Sequence, residues 1–182
     1  MIGVFGSAFN PPTLGHKSAI QQAALQCDKI ILVPSASHAF GKKMLAYDLR
    51  LQLLKHFISD IQPDVPCPLE VSTIESQMIA AGYQPIYTFD VLQQLENKLN
   101  TDQLKFILGP DNAAPSTWGK FYKSQEIDQN WGKIECNEAV KIRSTNLRDA
   151  VKAGNTEAQL WNFTTPGVAR FICDNGLYNA DD

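Results

Sequence analysis

Thr13-x-Gly15-His16 sets a hydroxyl and an imidazole, both able to donate hydrogen bonds, beside a glycine at what reads as the start of a helix. The chain leading into it, from Gly3, is dense in small residues and turn formers: Gly6, Ser7, Ala8, Pro11 and Pro12. Glycine lets backbone amides approach a ligand where a side chain would collide. A helix beginning near Gly15 also aims unpaired N–H groups and the positive end of its dipole into that space. The guest that suits such a corner is a phosphate. Taken alone, His16 reads equally as an ordinary helix-start histidine, and Gly3-x-x-Gly6 lacks the G-x-G-x-x-G fingerprint of dinucleotide binders.

A second constellation is Arg143-Ser144-Thr145-x-x-Arg148. Ser144 or Thr145 suits the N-cap of a helix running through Leu147 and Val151, which predicts Arg148 in its first turn. A cation there lies on the wrong side of the helix dipole, at a cost of about 0.3–1 kcal/mol when exposed. An anion held between hydroxyls, helix amides and the guanidinium would reverse that penalty. The bare string fits a capped surface helix with a solvated arginine just as well.

Positioning these residues falls to alternating strands and helices. Apolar runs suited to buried parallel strands occur at Ile2–Phe5, Ile30–Val33, Leu69–Ile74 and Leu104–Leu108. Helical spacing links them, from Gly15 to about Gln26, from about Tyr47 to Ser59, and from about Thr88 through Leu95. The pattern predicts an α/β fold, a Rossmann-like doubly wound parallel sheet, with a helical C-terminal part in which Thr165-Pro166 starts a helix that Asn175-Gly176 ends. A strand order of 3-2-1-4 would set the loops at Gly6–His16 and Gly109–Asn112 on either side of the switch point, where such sheets bind ligands. Residues 1–182 are expected to form a single domain.

The formal net charge of -3 argues against a broad nucleic-acid-binding surface. The four cysteines, Cys27, Cys67, Cys136 and Cys173, form no C-x-x-C pair and read as reduced thiols, not as a zinc site. No apolar run approaches the roughly 20 residues that cross a bilayer, and no secretory leader pattern opens the chain. The expectation is a cytoplasmic protein without membrane or nucleic-acid partners; self-association is left open.

The first stretch resembles the G-x-F-[DN]-P-x-[HT]-x-G-H signature of the nucleotidylyltransferase superfamily, matched by Gly6, Phe9, Asn10, Pro11, Thr13, Gly15 and His16 with one extra residue before the phenylalanine. The second resembles the superfamily's I-S-S-T-x-I-R motif through Ile142, Ser144, Thr145, Leu147 and Arg148, with Arg143 in place of a small residue. Further segments are similar to the nicotinate or nicotinamide mononucleotide adenylyltransferases: Tyr87-Thr88-x-Asp90, Gly109-x-Asp111 followed by Trp118, and Pro166-x-Val168 through Leu177-Tyr178. Between Trp118 and Ile142 the chain reads as shorter than the bacterial enzymes, which supply another strand there.

The resemblance implies transfer of the adenylyl group of ATP to a pyridine mononucleotide, with release of pyrophosphate, in NAD biosynthesis. It implies His16, Thr13 and Arg148 as catalytic residues. It further implies Gly6, Ser7, Phe9, Gly15, Gly109, Asp111, Ser144 and Thr145 around ATP, and Ala8, Asn10, Lys42 (ahead of Lys43), Thr88 and Trp118 around the mononucleotide. Mg²⁺ would arrive with ATP, without ligands of its own from the protein. A phosphopantetheine adenylyltransferase, a cytidylyltransferase or a non-catalytic nucleotide-binding regulator on the same fold are the alternatives.

Overall fold

The computed structural model describes residues 1–37 and 43–180. In chain order its elements are β1 (Ile2–Ser7), α1 (Leu14–Ala24), β2 (Lys29–Pro34), α2 (Tyr47–Ile61), β3 (Leu69–Val71), α3 (Ile74–Ala80), α4 (Thr88–Leu99), β4 (Leu104–Leu108), α5 (Pro110–Ala113), α6 (Pro115–Trp118), α7 (Ser124–Asn130), β5 (Lys133–Glu135), α8 (Ser144–Lys152), α9 (Glu157–Leu160) and α10 (Pro166–Asn175). The strands form one parallel sheet in the order β3-β2-β1-β4-β5.

Both faces of the sheet are covered, which is why its strands read as continuous apolar runs. Side chains alternate between two cores. Phe5, Ile30, Leu32, Ile107 and Ile134 pack beneath α1, α2, α8 and α10. Val4, Ile31, Val33, Phe106 and Leu108 pack against α3, α4 and α7 on the other face.

Two elements depart from the expectation. The run at Leu69–Ile74 is strand only to Val71, after which Ile74 opens α3 and buries Ile74 and Met78. The stretch after Trp118 does supply a further strand, β5, which pairs with β4 from Phe106↔Lys133 to Leu108↔Glu135. Its three residues, with one side chain turned to the core, gave too little periodicity to be read.

The crevice arises from register. β1 and β2 stay paired through Ser7↔Pro34, but β1 and β4 pair only from Ile2↔Leu104 to Val4↔Phe106. Beyond those residues the two strands run on without bonding to each other, and the loops that follow them line a cleft at their carboxyl ends.

The C-terminal third closes one side of this cleft by backbone contact. Gly15 lies at the second position of α1 directly against Ile142, so that a β-carbon there would collide with the Ile142 carbonyl oxygen. At an open helical position alanine is about 1 kcal/mol more favourable than glycine. Here Gly15→Ala is expected to destabilise by about 1–3 kcal/mol, because main chain, not a pliable side chain, must give way. Denaturant unfolding of the variant checks this; a gain in stability would show that the Ile142 segment yields freely.

Candidate active site

A cavity of about 470 Å³ occupies the cleft between the ends of β1 and β4. Gly6, Ser7, Ala8, Asn10, Thr13, Gly15 and His16 line it from the first loop, Gly109 and Asp111 from the loop after β4, and Ser144, Thr145 and Arg148 from α8. Residues far apart in sequence thus meet in one space. A second cavity, of about 320 Å³, adjoins it through the shared walls Gly6, Ala8, Phe106 and Asn112, and holds Thr88 and Tyr87.

His16 is held in a defined chemical form. The backbone N–H of Thr13 donates to its Nδ1 over 2.9 Å, so Nδ1 is the acceptor and the ring proton sits on Nε2. Nε2 lies 3.2 Å from Ser7 Oγ. The ring packs against Phe9, with centroids 4.9 Å apart, and against Phe5. Desolvation by this packing lowers its pKa from 6.5 to about 4, while the Asp111 carboxylate pulls the other way. At neutral pH His16 is therefore an uncharged donor aimed from a fixed ring.

Thr13 has a different task from the one its sequence position implies. It is the N-cap of α1: its Oγ1 accepts from Gly15 N and donates to Ile142 O, both over 3.2 Å, and the side chain is fully buried. The Leu14 N–H goes to Phe163 O. The first amides of α1 are thus already bonded, and the group that this helix start offers to the cavity is the His16 side chain.

The helix end that does face the cavity is that of α8. Its N-cap is Arg143, one residue before the expected cap, and the Asn146 side chain accepts from the Arg143 N–H over 2.8 Å. Ser144 Oγ donates to Pro11 O over 2.7 Å, a bond that takes the hydroxyl away from capping. Arg148 consequently lies in the second turn, not the first. Its guanidinium donates to Asn10 O over 2.9 Å and to Thr145 Oγ1 over 3.2 Å. Arg143 bridges Asp111 and Glu138 across the rim of the cavity.

Two further expectations are corrected. Phe9 does not line the cavity: it is fully buried with a positive φ of 46°, packed on Phe5 and His16, and acts by fixing the imidazole. Trp118 lines neither cavity. α6 turns its indole into the core, where it stacks on Phe106 at 5.9 Å and donates from Nε1 to Asp128 over 3.0 Å. The aromatic side chains that reach the second cavity are Tyr87, Phe106 and Phe121. Lys42 lies outside the described residues, whereas Lys43 lines the first cavity.

Sequence reasoning missed the weight carried by Arg50. Only 1% exposed, it donates from Nε to Leu45 O and from Nη1 to Ala8 O and Ser35 O, over 2.7 to 2.9 Å, and so joins the loops after β1 and β2. Its position in phase with Leu53, Leu54, Phe57 and Ile61, the buried face of α2, was the available signal. Nothing in the sequence marked Glu75. Among the described residues it is the one charged side chain lining the second cavity, and burial pushes its carboxyl up to about 7 against the pull of Arg50.

The cavity brings together hydrogen-bond donors and guanidinium groups, and the hydroxyl beside the imidazole, that of Ser7, faces its protonated nitrogen, Nε2, so that His16 is a donor there and not a base. Among the described residues no three His, Cys, Asp or Glu side chains form a metal site, and no helix is long and apolar enough to cross a membrane.

Comparison with known proteins agrees with this geometry. The family model described as Cytidylyltransferase-like matches residues 4–150. The Probable nicotinate-nucleotide adenylyltransferase of Lactiplantibacillus plantarum is 32% identical over 203 aligned residues, covering 100% of this chain and 89% of the relative. The protein of the same name in Aliarcobacter butzleri is 28% identical over 129 residues, covering 69% of this chain and 65%, just under two thirds, of the relative. The crystal structure of a candidate nicotinate-nucleotide adenylyltransferase from Vibrio parahaemolyticus superposes with a TM-score of 0.80 at 33% identity, covering 98% of this chain and 94% of that one. Since the family match spans both the first loop and the start of α8 and similarity runs the length of the chain, this protein belongs to the cytidylyltransferase-like family, as a nucleotidylyltransferase resembling the nicotinate-nucleotide adenylyltransferases.

Proposed function

We propose that this chain transfers the adenylyl group of ATP to the phosphate of a pyridine mononucleotide, forming the dinucleotide of NAD biosynthesis in the cytoplasm. The observation that carries the reading is the neutral His16 donor in a cavity that it shares with Arg148 and the N-terminus of α8. An oxygen of the mononucleotide phosphate attacks the α-phosphorus of ATP, the bond from that phosphorus to the bridging oxygen breaks, and pyrophosphate leaves with the electron pair. Such a reaction asks for positioning and charge stabilisation more than for covalent chemistry.

His16 Nε2–H would donate to an oxygen of the reacting phosphate as negative charge grows, without losing its proton. Arg148, Ser144 and Thr145 would hold the departing pyrophosphate against the helix dipole of α8. Gly6, Ser7, Gly15, Gly109 and Asp111 form the rest of the ATP side. The adjoining cavity would take the pyridine, with Thr88 as its hydroxyl, Ala8 at the junction and Asn10 on the wall of the first cavity. Mg²⁺ bound with ATP would neutralise phosphate charge.

The deciding experiment is pyrophosphate release from ATP and Mg²⁺ with nicotinate mononucleotide, nicotinamide mononucleotide and phosphopantetheine in parallel. Turnover with a pyridine mononucleotide alone is expected, and the names of the relatives make nicotinate mononucleotide the first to try. Turnover with phosphopantetheine alone would reject the acceptor.

Loss of one preorganised donor costs about 2.7–4 kcal/mol. His16→Ala is therefore expected to lower kcat by roughly 10²–10³ while changing the ATP KM far less. Near-normal turnover would remove His16 from the reaction.

The same residue sets a pH dependence of stability. The unfolded chain takes up a proton at His16 near pH 6.5, whereas the folded chain resists until about pH 4. The stability that this contributes is complete above pH 6.5 and is lost as pH falls through that window. Between pH 7 and 4.5 the wild type should accordingly lose more unfolding free energy than His16→Gln. Parallel curves for the two proteins would show that the imidazole titrates normally in the fold.

A further inference from the structure

Tyr178 lies in the turn that follows α10. After Gly176, which ends the helix in the left-handed region, the backbone bends back with Tyr178 at a φ of 62° and buries its ring. A non-glycine residue persists in that region only where its surroundings over-determine it, and such residues collect at functional sites. What holds Tyr178 is a buried hydrogen bond, from its hydroxyl to Asn10 Oδ1 over 2.8 Å, between residues 168 apart in sequence.

The direction of that bond is fixed by its neighbours. Leu45 N–H also donates to Asn10 Oδ1, over 3.2 Å, so this oxygen is the acceptor of both and the phenol must be the donor. Burial raises the pKa of the Tyr178 hydroxyl, against the Arg50 and Arg148 guanidinium groups, and keeps the proton in place. Asn10 is itself buried, and its main-chain carbonyl receives the Arg148 guanidinium over 2.9 Å. A continuous path therefore runs from the C-terminal turn to the cation of the phosphate site.

We propose that Tyr178 is a positioning residue for the phosphate end of the site: its hydroxyl fixes Asn10, and thereby the carbonyl that holds Arg148. Tyr178 touches no substrate in this scheme and acts through Arg148. The proposal rests on the first cavity being an ATP site, but not on the identity of the acceptor.

A double-mutant cycle in ATP affinity tests it. Calorimetric titration with ATP and Mg²⁺ is carried out on the wild type, Tyr178→Phe, Arg148→Ala and the double variant. Phenylalanine removes only the hydroxyl, and Asn10 Oδ1 keeps its bond from Leu45. One hydrogen bond of this kind corresponds to a roughly two- to tenfold weaker ATP affinity in Tyr178→Phe. With Arg148 already gone, the same change should have no further effect on ATP affinity. A merely structural role would lower the melting temperature without this pattern. Unchanged ATP affinity in Tyr178→Phe, additive losses in the double variant, or no ATP binding to the wild type would each overturn the proposal. Failure of the wild type to turn over any pyridine mononucleotide would instead reject the acceptor reading and leave the cycle interpretable.

Discussion

The loop between β1 and α1, with Pro11 and Pro12 in succession, exposes carbonyl groups that no sheet satisfies, and most of those carbonyls are claimed by side chains from elsewhere. Ala8 O receives Arg50, Asn10 O receives Arg148, Pro11 O receives Ser144 and Pro12 O receives Thr164. An unpaired buried carbonyl costs free energy comparable to a lost hydrogen bond, so the shape of this loop cannot be separated from the elements that bond to it. His16 inherits its orientation from the arrangement, because the amide that fixes its tautomer belongs to Thr13, and Thr13 is itself bonded to Ile142.

The two buried-side arginines divide the work by surroundings. Arg50 is enclosed and spends its donors on main chain from three segments, which makes it a fastener with no capacity left for a ligand on those nitrogens. Arg148 uses one nitrogen on Asn10 and another on Thr145 and still lines the cavity. A guanidinium suits both duties because its donors are rigidly placed, where a lysine would offer a single mobile charge.

Much of this was legible from local pattern. The apolar runs, the order of the first four strands and the meeting of the loops after β1 and β4 follow from periodicity and the rules of parallel sheets. Ser144, Thr145, Arg148 and His16, from the two constellations singled out in the sequence, do share one cavity. Illegible were the features decided by tertiary packing. Whether a tryptophan faces a cleft or a core depends on which way a four-residue helix is rolled, and α6 rolls Trp118 inward toward Phe106 and Asp128. The cap of α8 moved by one residue because the Ser144 hydroxyl found a better acceptor in Pro11, a partner 133 residues away. Phe9 carried a site motif, yet its contribution is the surface on which the imidazole rests.

The path of the chain sets an order of assembly. All five strands of the sheet lie within the first 135 residues, since β5 ends at Glu135. The loop that leads to His16 emerges at the very beginning, but apart from Leu45 and Arg50 the groups that clamp it come from residues 142 to 178, and the contact from Tyr178 to Asn10 spans nearly the whole polypeptide. During synthesis, when chains emerge from the N-terminus onward, the earliest part of the site must wait for the latest part of the protein. A nascent or C-terminally clipped chain can thus carry all five strands and every residue of the first motif while it still lacks the groups from beyond residue 141 that clamp that loop.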